Sequence, residues 1–435
     1  MRRITAAWGR AGYTLYAGVN VPSKTFGELV EHAKHTPRIS AQDLDGMRRK
    51  GENFVIVDGR PFAEYRKMNI PGGICCPNGE LVLRIRDIAP DPKTKIVVNC
   101  AGRTRSIIGA QTLIDFGCPN PVYALENGTQ GWSLAGLALE HGASRRYPER
   151  PAADAGSLAR PAREVAAGHG VGFIAAAEAN AWLADTSRTT YLLDVRTPEE
   201  FAARAVPGFA HAPGGQLIQA TDQWVGVRGA RLVLIDGECV RAPVAAAWLR
   251  QLGHETYVLE GGIAAAAKLA WQRQRVPARK PAVVATIAAR DAGAAAQAGT
   301  ATVIDLRPSM AYRKGHIAGA LWSIRPRVAA AAANSKKTVV LVADEPAIAQ
   351  LAALDLAEAG FGDVRLLEGG PDAWRAAGLP LTATPDHPAD TDCIDFLFFT
   401  AARHDGDASA ARAYLAWEIG LVDQLDAQER GAFRI

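Results

Sequence analysis

Residues 55–73 read VIVDGRPFAEYRKMNIPGG: an apolar run closed by Asp58, Arg60 two places on, a short helical stretch, and a turn at Gly72–Gly73. Two further segments repeat this order. They are LLDVRTPEEFAARAVPGFA at 192–210, around Asp194 and Arg196, and VIDLRPSMAYRKGHIAGA at 303–320, around Asp305 and Arg307. Each is followed by a second apolar run, KIVVNC (95–100), RLVLID (231–236) or TVVLVA (338–343). A helical stretch then closes at Gly117, Gly253 or Gly360. From Asp58 to Cys100 is 42 positions, as from Asp194 to Asp236; from Asp305 to Ala343 it is 38. The steps Cys100–Gly117, Asp236–Gly253 and Ala343–Gly360 are all 17. Repetition at fixed spacing marks copies of one structural unit, here three.

Strands alternating with helices at these lengths predict α/β copies, each with a mostly parallel central sheet flanked by helices. Two copies end on Leu, seven steps, Trp (Leu125–Trp132 and Leu367–Trp374), and the second has Leu259 followed by Ala266. The tails WSLAGLAL (132–139) and WRAAGLPL (374–381) match WGRAGYTL at 8–15. We therefore expect residues 1–20 to be the C-terminal remnant of an earlier copy, whose upstream part a late start site or a truncation would have removed. The expected organisation continues with a linker at 21–36, a copy at 37–145 and a linker at 146–168 rich in Pro and Gly. Further copies follow at 169–280 and 281–386, joined closely near 276–286. A helical C-terminal extension at 387–435 is expected to pack on the third copy.

Composition narrows the function. Of the 435 residues 48% are hydrophobic and 22% charged, a globular balance. Lys plus Arg (49) exceed Asp plus Glu (45) by only four, too little for a dedicated nucleic-acid binder. No apolar run reaches the length of a membrane span, and the N-terminal residues lack the apolar core of a secretory signal. Six cysteines in a chain this long, with no paired CxxC spacing, suggest neither a disulfide framework nor a zinc site. A cytoplasmic setting is expected.

Chemistry concentrates at Cys100. It ends an apolar strand, and CAGRTRS (100–106) leads into a helix, the place where open α/β sheets bind ligands. Backbone N–H groups of such a loop and the positive end of the helix make an anion cradle. Gly102 lets the backbone curl round the sulfur, and the cations Arg103 and Arg105 favour a thiolate. A buried, inert Cys is the commoner meaning of a lone cysteine; the arginines, the Gly and the repeat register argue against it here.

The Asp-x-Arg strand, the Cys loop and the Leu-x-Gly-Gly…Trp tail together resemble tandem rhodanese-domain sulfurtransferases, the rhodanese-like (thiosulfate sulfurtransferase) family. The resemblance covers roughly 37–385 and the fragment at 1–16. It implies three tandem rhodanese-like domains and sulfane-sulfur transfer by ping-pong chemistry through a Cys100 persulfide. The implied donor is a small anion such as thiosulfate, the acceptor cyanide or a thiol. Ala101, Gly102, Arg103, Thr104, Arg105 and Ser106 would bind substrate, with Asp58 and Arg60 in support. A protein sulfur acceptor and a homodimer are possible partners; no nucleic acid, membrane, metal or organic cofactor is implied. Four residues separate Cys100 from Arg105. Relatives acting on phosphate or arsenate have one more, which disfavours a phosphatase or arsenate reductase, while a sulfur-relay or scaffold role stays an alternative.

Asp236 and Ala343 stand where Cys100 does, so the second and third copies are expected to be inactive scaffold, with Arg241 matching Arg105 and Cys239 matching Arg103. The recurring Asp/Arg pair is expected to be a structural ion pair. Cys75 and Cys76 are expected to be structural rather than a sulfur relay, Cys118 incidental, and Trp132 and Trp374 core anchors. His387, Asp390, Asp392, His404 and Asp405 are expected to be solvated rather than metal ligands.

Overall fold

The computed structural model describes residues 18–149, 155–271, 283–335, 338–396, 398 and 407–435. Three five-stranded sheets repeat one topology. The first is built from β1 (Arg38–Ile39), β2 (Phe54–Asp58), β3 (Ile74–Cys75), β4 (Lys95–Asn99) and β5 (Val122–Leu125), in the order β1-β5-β4-β2-β3. The second repeats that order with β6 (Gly172–Ile174), β7 (Thr190–Asp194), β8 (Ala210–His211), β9 (Arg231–Ile235) and β10 (Glu255–Leu259). In the third, β11 (Ala285–Ile287), β12 (Ala301–Asp305), β14 (Leu321–Trp322), β15 (Thr338–Val342) and β16 (Val364–Leu367) do the same. There β13 (His316–Ile317) instead pairs antiparallel with β17 (Leu381–Thr382). Within the three sheets the pairings are parallel, as the near-continuous apolar runs of strands buried on both faces predict.

The repeated residues have repeated jobs. Arg60 chelates Asp58 at 2.8 and 2.7 Å and donates to the Met68 carbonyl. Arg196 holds Asp194 and the Arg204 carbonyl, and Arg307 holds Asp305 and the Gly315 carbonyl. Each arginine thus ties a strand end to a carbonyl eight residues on, in copies with and without the cysteine. Trp132 and Trp374 are buried and donate Nε1–H to carbonyls six residues on, Ala138 and Pro380. Gly117, Gly253 and Gly360 have φ of 77°, 99° and 92°, the left-handed conformation that ends a helix and that glycine adopts without strain.

The chain divides into two compact units: Met1–Arg273 with Phe399–Ile435, and Gln274–Phe398. The second is the third copy, with its own apolar clusters on either side of the sheet around Val340 and Leu341. In the first unit one apolar cluster runs through both copies. Ile107, Leu113, Leu217, Trp248 and Leu249 all belong to it, and Trp248 Nε1 donates to Thr112 Oγ1 at 2.8 Å.

Three segments differ from expectation. Residues 21–34, expected as linker, form helix α1 (Val21–Lys34), with Pro22 in its first turn and Phe26 and Val30 in the core. Its charged residues Lys24 and Glu28 are buried too; ion pairs within the fold allow this. The stretch 146–168 also holds ordered structure, a single turn at Ala155–Leu158 and helix α3 (Ala159–Gly168), which buries Leu158 and Ala162 against Val82, Leu83 and Val240. Pro161 misleads because a first-turn residue needs no N–H for the helix ladder. Finally, the C-terminal extension is divided. Residues 387–396 stay with the third copy, where Arg313 binds the Pro388 carbonyl and Asp390 and the Ser309 N–H donates to Asp395. Helix α4 (Ala408–Ile419) and the end of the chain belong to the unit of the first two copies, so the extension does not pack on the third copy alone. The remnant expected at 1–20 lies, up to residue 17, outside the described residues, as does most of the join near 276–286.

Candidate active site

Cys100 directly follows β4, the middle strand of its sheet, and the loop runs from it into helix α2 (Thr104–Asp115). The loop's curl is set from outside. Thr129 N–H donates to the Cys100 carbonyl at 2.8 Å, and Gln130 gives its backbone N–H and Nε2–H to the Ala101 carbonyl. Gly128 makes this possible: at φ 52° it passes so close that a Cβ there would lie 2.3 Å from the Cys100 oxygen. Asn78 Nδ2 donates to the Arg105 carbonyl at 2.8 Å. With these carbonyls held outward, N–H groups of the loop are left for its interior. Residues 100–106 are all buried, Cys100 to 2% exposure, and the Ser106 hydroxyl has no hydrogen-bond partner among the described residues. Asp58 and Arg60 adjoin the loop through Asn99, whose Nδ2 donates to Asp58 at 2.9 Å.

The second copy fills the same loop with a side chain of its own. Asp236 accepts the backbone N–H groups of Cys239 at 3.0 Å, Val240 at 2.8 Å and Arg241 at 2.7 Å. Burial pushes its carboxyl above the ordinary range, against the pull of Arg241. In register these amides correspond to those of Arg103, Thr104 and Arg105. In the third copy Ala343 fills the position, followed by the acidic pair Asp344 and Glu345.

Both loop arginines are compensated. Arg103 is bidentate on Glu28 at 2.7 and 2.8 Å and also reaches Glu31, both from α1. Arg105 is bidentate on Glu64 at 2.9 and 2.8 Å, with Gln216 of the second copy at 3.2 Å. The second copy mirrors this across the contact: Arg241 binds Glu200, Glu238 and, from the first copy, Glu80. Arg105 and Arg241, Glu64 and Glu200, and Glu80 and Gln216 are each 136 positions apart, as Cys100 and Asp236 are. The two copies therefore face each other in a pseudo-twofold arrangement, in which each lends a residue to the other's loop arginine. Burial pushes the Glu28 carboxyl up to about 7 against the pull of Arg103, with Glu418 and Glu31 adding to the rise.

Other sequence candidates take separate places. Burial pushes the Cys75 thiol up to about 12 and that of Cys76 well above its usual range, so both sit as neutral core thiols. Cys239 lies at φ 58°, partly buried, with its thiol also raised by burial. Asp390 pairs with Arg313 at 2.7 Å, and His404 and Asp405 lie outside the described residues. Sequence reading did not find Lys24, Glu28, Glu31, Glu64, Gln130, Gln216 or Glu418. Only Glu64 and Gln216 carried a signal, the 136-position register with Glu200 and Glu80.

The fold and site define a repeated parallel α/β protein in which one of three equivalent strand-end loops begins with a cysteine. The chain belongs to the rhodanese-like domain family, whose model matches residues 40–135, 175–269 and 288–377. It is similar, at 41% identity and a TM-score of 0.84, to the crystal structure of thiosulfate sulfurtransferase from Pseudomonas aeruginosa. That match covers 99% of this chain and 82% of the other. A rhodanese-like domain of the Alr3790 protein from Anabaena is 30% identical over 19% of this chain and 79% of its own, with a TM-score of 0.18. Among curated proteins, the HTH-type transcriptional regulator Rv0324 of Mycobacterium tuberculosis is 33% identical over 96 residues, 22% of this chain. The chain matches 42% of that regulator's length.

Proposed function

We propose that the protein is a sulfurtransferase that carries sulfane sulfur on Cys100, taking it from a donor such as thiosulfate and passing it to cyanide or a thiol. The observation that carries this reading is the Asp236 carboxylate, bound by three amides in the second copy's version of the loop. A loop of this construction holds a negatively charged atom, and in the first copy the residue at that position is a thiol.

In the proposed reaction the Cys100 thiolate attacks the outer sulfur of the donor. The new S–S bond forms as the donor's S–S bond breaks, and the electron pair leaves on sulfite. The terminal persulfide sulfur is anionic and takes amides of 101–105 as donors, with the buried Ser106 hydroxyl in reserve, since the Ser106 N–H is held by the Arg103 carbonyl. Attack by the acceptor on that sulfur returns the Cys100 thiolate, so the two half-reactions give ping-pong kinetics. Arg103 and Arg105 fix the loop and set its charge, and each acts through carboxylates that hold it. The second copy serves as a scaffold that completes the Arg105 environment through Gln216, and the third as a further non-catalytic copy. No helix among the described residues is long and apolar enough to cross a membrane; we place the protein in the cytoplasm.

The test is direct: incubate the protein with thiosulfate, remove the excess, and weigh the Cys100 peptide by mass spectrometry. A gain of one sulfur on that peptide, discharged by cyanide, is the expected result. Sulfur on another cysteine, or on none, would refute the assignment.

A further inference from the structure

Glu418, on α4, reaches the Cys100 loop at Thr104, 314 positions away in sequence. Its side chain is fully buried. Oε1 accepts the Thr104 hydroxyl at 2.6 Å and Lys24 Nζ–H at 3.3 Å. Oε2 lies 3.2 Å from where a Cβ on Gly102 would stand, and Gln130 Nε2 and Tyr414 Cε1 lie 3.5 Å from that same point. Lys24 in turn sits over the Tyr414 ring. The loop therefore meets a carboxylate at Gly102 and at Thr104, two of the residues that curl round the sulfur.

Among the described residues Lys24 lies against Glu418, while Arg103 and Arg105 are held by Glu28, Glu31 and Glu64, with Arg38 also on Glu31. Glu418 sets a negative charge directly against the Gly102–Thr104 face of the loop. The field of Glu418 extends past its own contacts, raising the protonation of both Glu28 and Arg103. A neutral isostere still offers the Thr104 hydroxyl an acceptor, but it takes the carboxylate away from the buried Lys24, so Glu418→Gln is expected to cost stability as well as charge.

We propose that Glu418 is a specificity-determining residue, whose negative charge against the Cys100 loop disfavours dianionic donors such as thiosulfate relative to monoanionic sulfane-sulfur donors, alkanethiosulfonates or persulfides. This rests on the sulfurtransferase reading above. The chemistry is the same for both donor types: the Cys100 thiolate displaces sulfite from thiosulfate or sulfinate from an alkanethiosulfonate. Each sulfur transfer conserves charge and needs no oxidant or reductant.

Thiosulfate and methanethiosulfonate form a matched pair that differs by one charge. The measurement is the ratio of their kcat/KM values in thiocyanate formation, for wild type, Glu418→Gln and Glu418→Asp. In Glu418→Gln the ratio should rise about fivefold in favour of thiosulfate, the order expected for one charge removed at close range in a protein interior. Glu418→Asp shortens the side chain and disturbs the Thr104 hydrogen bond while keeping the charge, and should leave the ratio near its wild-type value. A ratio unmoved in Glu418→Gln, or moved as much in Glu418→Asp, overturns the proposal. Should Glu418→Gln fold poorly, Lys24→Gln, which removes the positive charge beside Glu418, should lower the thiosulfate ratio, and a ratio unmoved or raised would contradict the proposal. If no protein turns over either donor, the sulfurtransferase reading fails. The charge effect is then tested by Cys100 alkylation, where iodoacetate should gain on iodoacetamide about fivefold in Glu418→Gln and an unchanged ratio would overturn it.

Discussion

The carboxylate of Asp236 accepts the backbone N–H of Arg241 at 2.7 Å, and with the amides of Cys239 and Val240 it completes a loop that in the first copy surrounds a cysteine. In the second copy the loop interior is thus filled by the loop's own side chain. Removing that acceptor leaves three buried amides with no partner. Asp236→Ala should cost about 2–4 kcal/mol of stability, since each unsatisfied buried donor costs roughly 1–3 kcal/mol and partial relaxation recovers some of it. Asp236→Asn keeps one acceptor and should lose less. Urea unfolding compares them, and an alanine variant as stable as wild type would show that the loop does not depend on its bound carboxylate.

Arg105 is held by Glu64 rather than standing free beside Cys100. Its charge should therefore be adjustable from either side of the pair. Arg105→Ala should raise KM for thiosulfate by about tenfold, and Glu64→Gln should lower it by a few-fold, each change removing one charge of the pair. Steady-state kinetics with thiosulfate decide. Both variants raising KM equally would mean that the pair matters for loop shape and not for charge.

Glu28 provides a pH signature. Its ordinary value of 4.5 is raised to about 7, chiefly by burial, with Arg103 opposing and Glu418 and Glu31 reinforcing the rise. A carboxyl raised on folding binds more protons in the folded than in the unfolded state between those two values. Its contribution to stability is therefore complete below about pH 4.5 and is lost as pH rises towards 7. Glu28→Gln cannot titrate, so the loss of stability between pH 5 and 7.5 should be smaller in that variant than in wild type. Urea midpoints across this range provide the check, and parallel curves would mean that Glu28 ionises normally.

Trp132 and Trp374 occupy equivalent core positions in different compact units. Trp→Ala at either should cost roughly 3–5 kcal/mol in its own unit. Hydrogen exchange by mass spectrometry should show the Trp374→Ala effect confined to the third copy and the Trp132→Ala effect centred on the first. Loss of protection throughout the chain from either variant would show that the units do not unfold separately.

What could be read from sequence was local and repeated. The Asp–Arg pair, the Cys100 loop and the Leu…Trp tail each lie within a few residues of one another, so spacing alone exposes them three times over. The partners of the loop were not legible for the opposite reason. Glu28 and Glu31 lie on α1, a single helix whose buried charges hide its apolar face of Phe26 and Val30. Glu418 arrives from the far end of the chain, and no periodicity links it to Thr104. Arg103 and Arg105 in isolation suggested a strongly positive cradle; the carboxylates that compensate them come from α1 and from the short helix carrying Glu64, which only the tertiary fold brings to the loop. The division of the C-terminal extension was also hidden, because an amphipathic helix declares that it packs without declaring on what.

If Cys100 carries the transferred sulfur, thiocyanate formation from thiosulfate and cyanide depends on its thiol. Wild type and Cys100→Ser are compared at matched thermal stability. Wild type should turn over and Cys100→Ser, whose near-isosteric side chain leaves the fold intact, should not rise above background. A serine variant as fast as wild type would show that another group carries the sulfur.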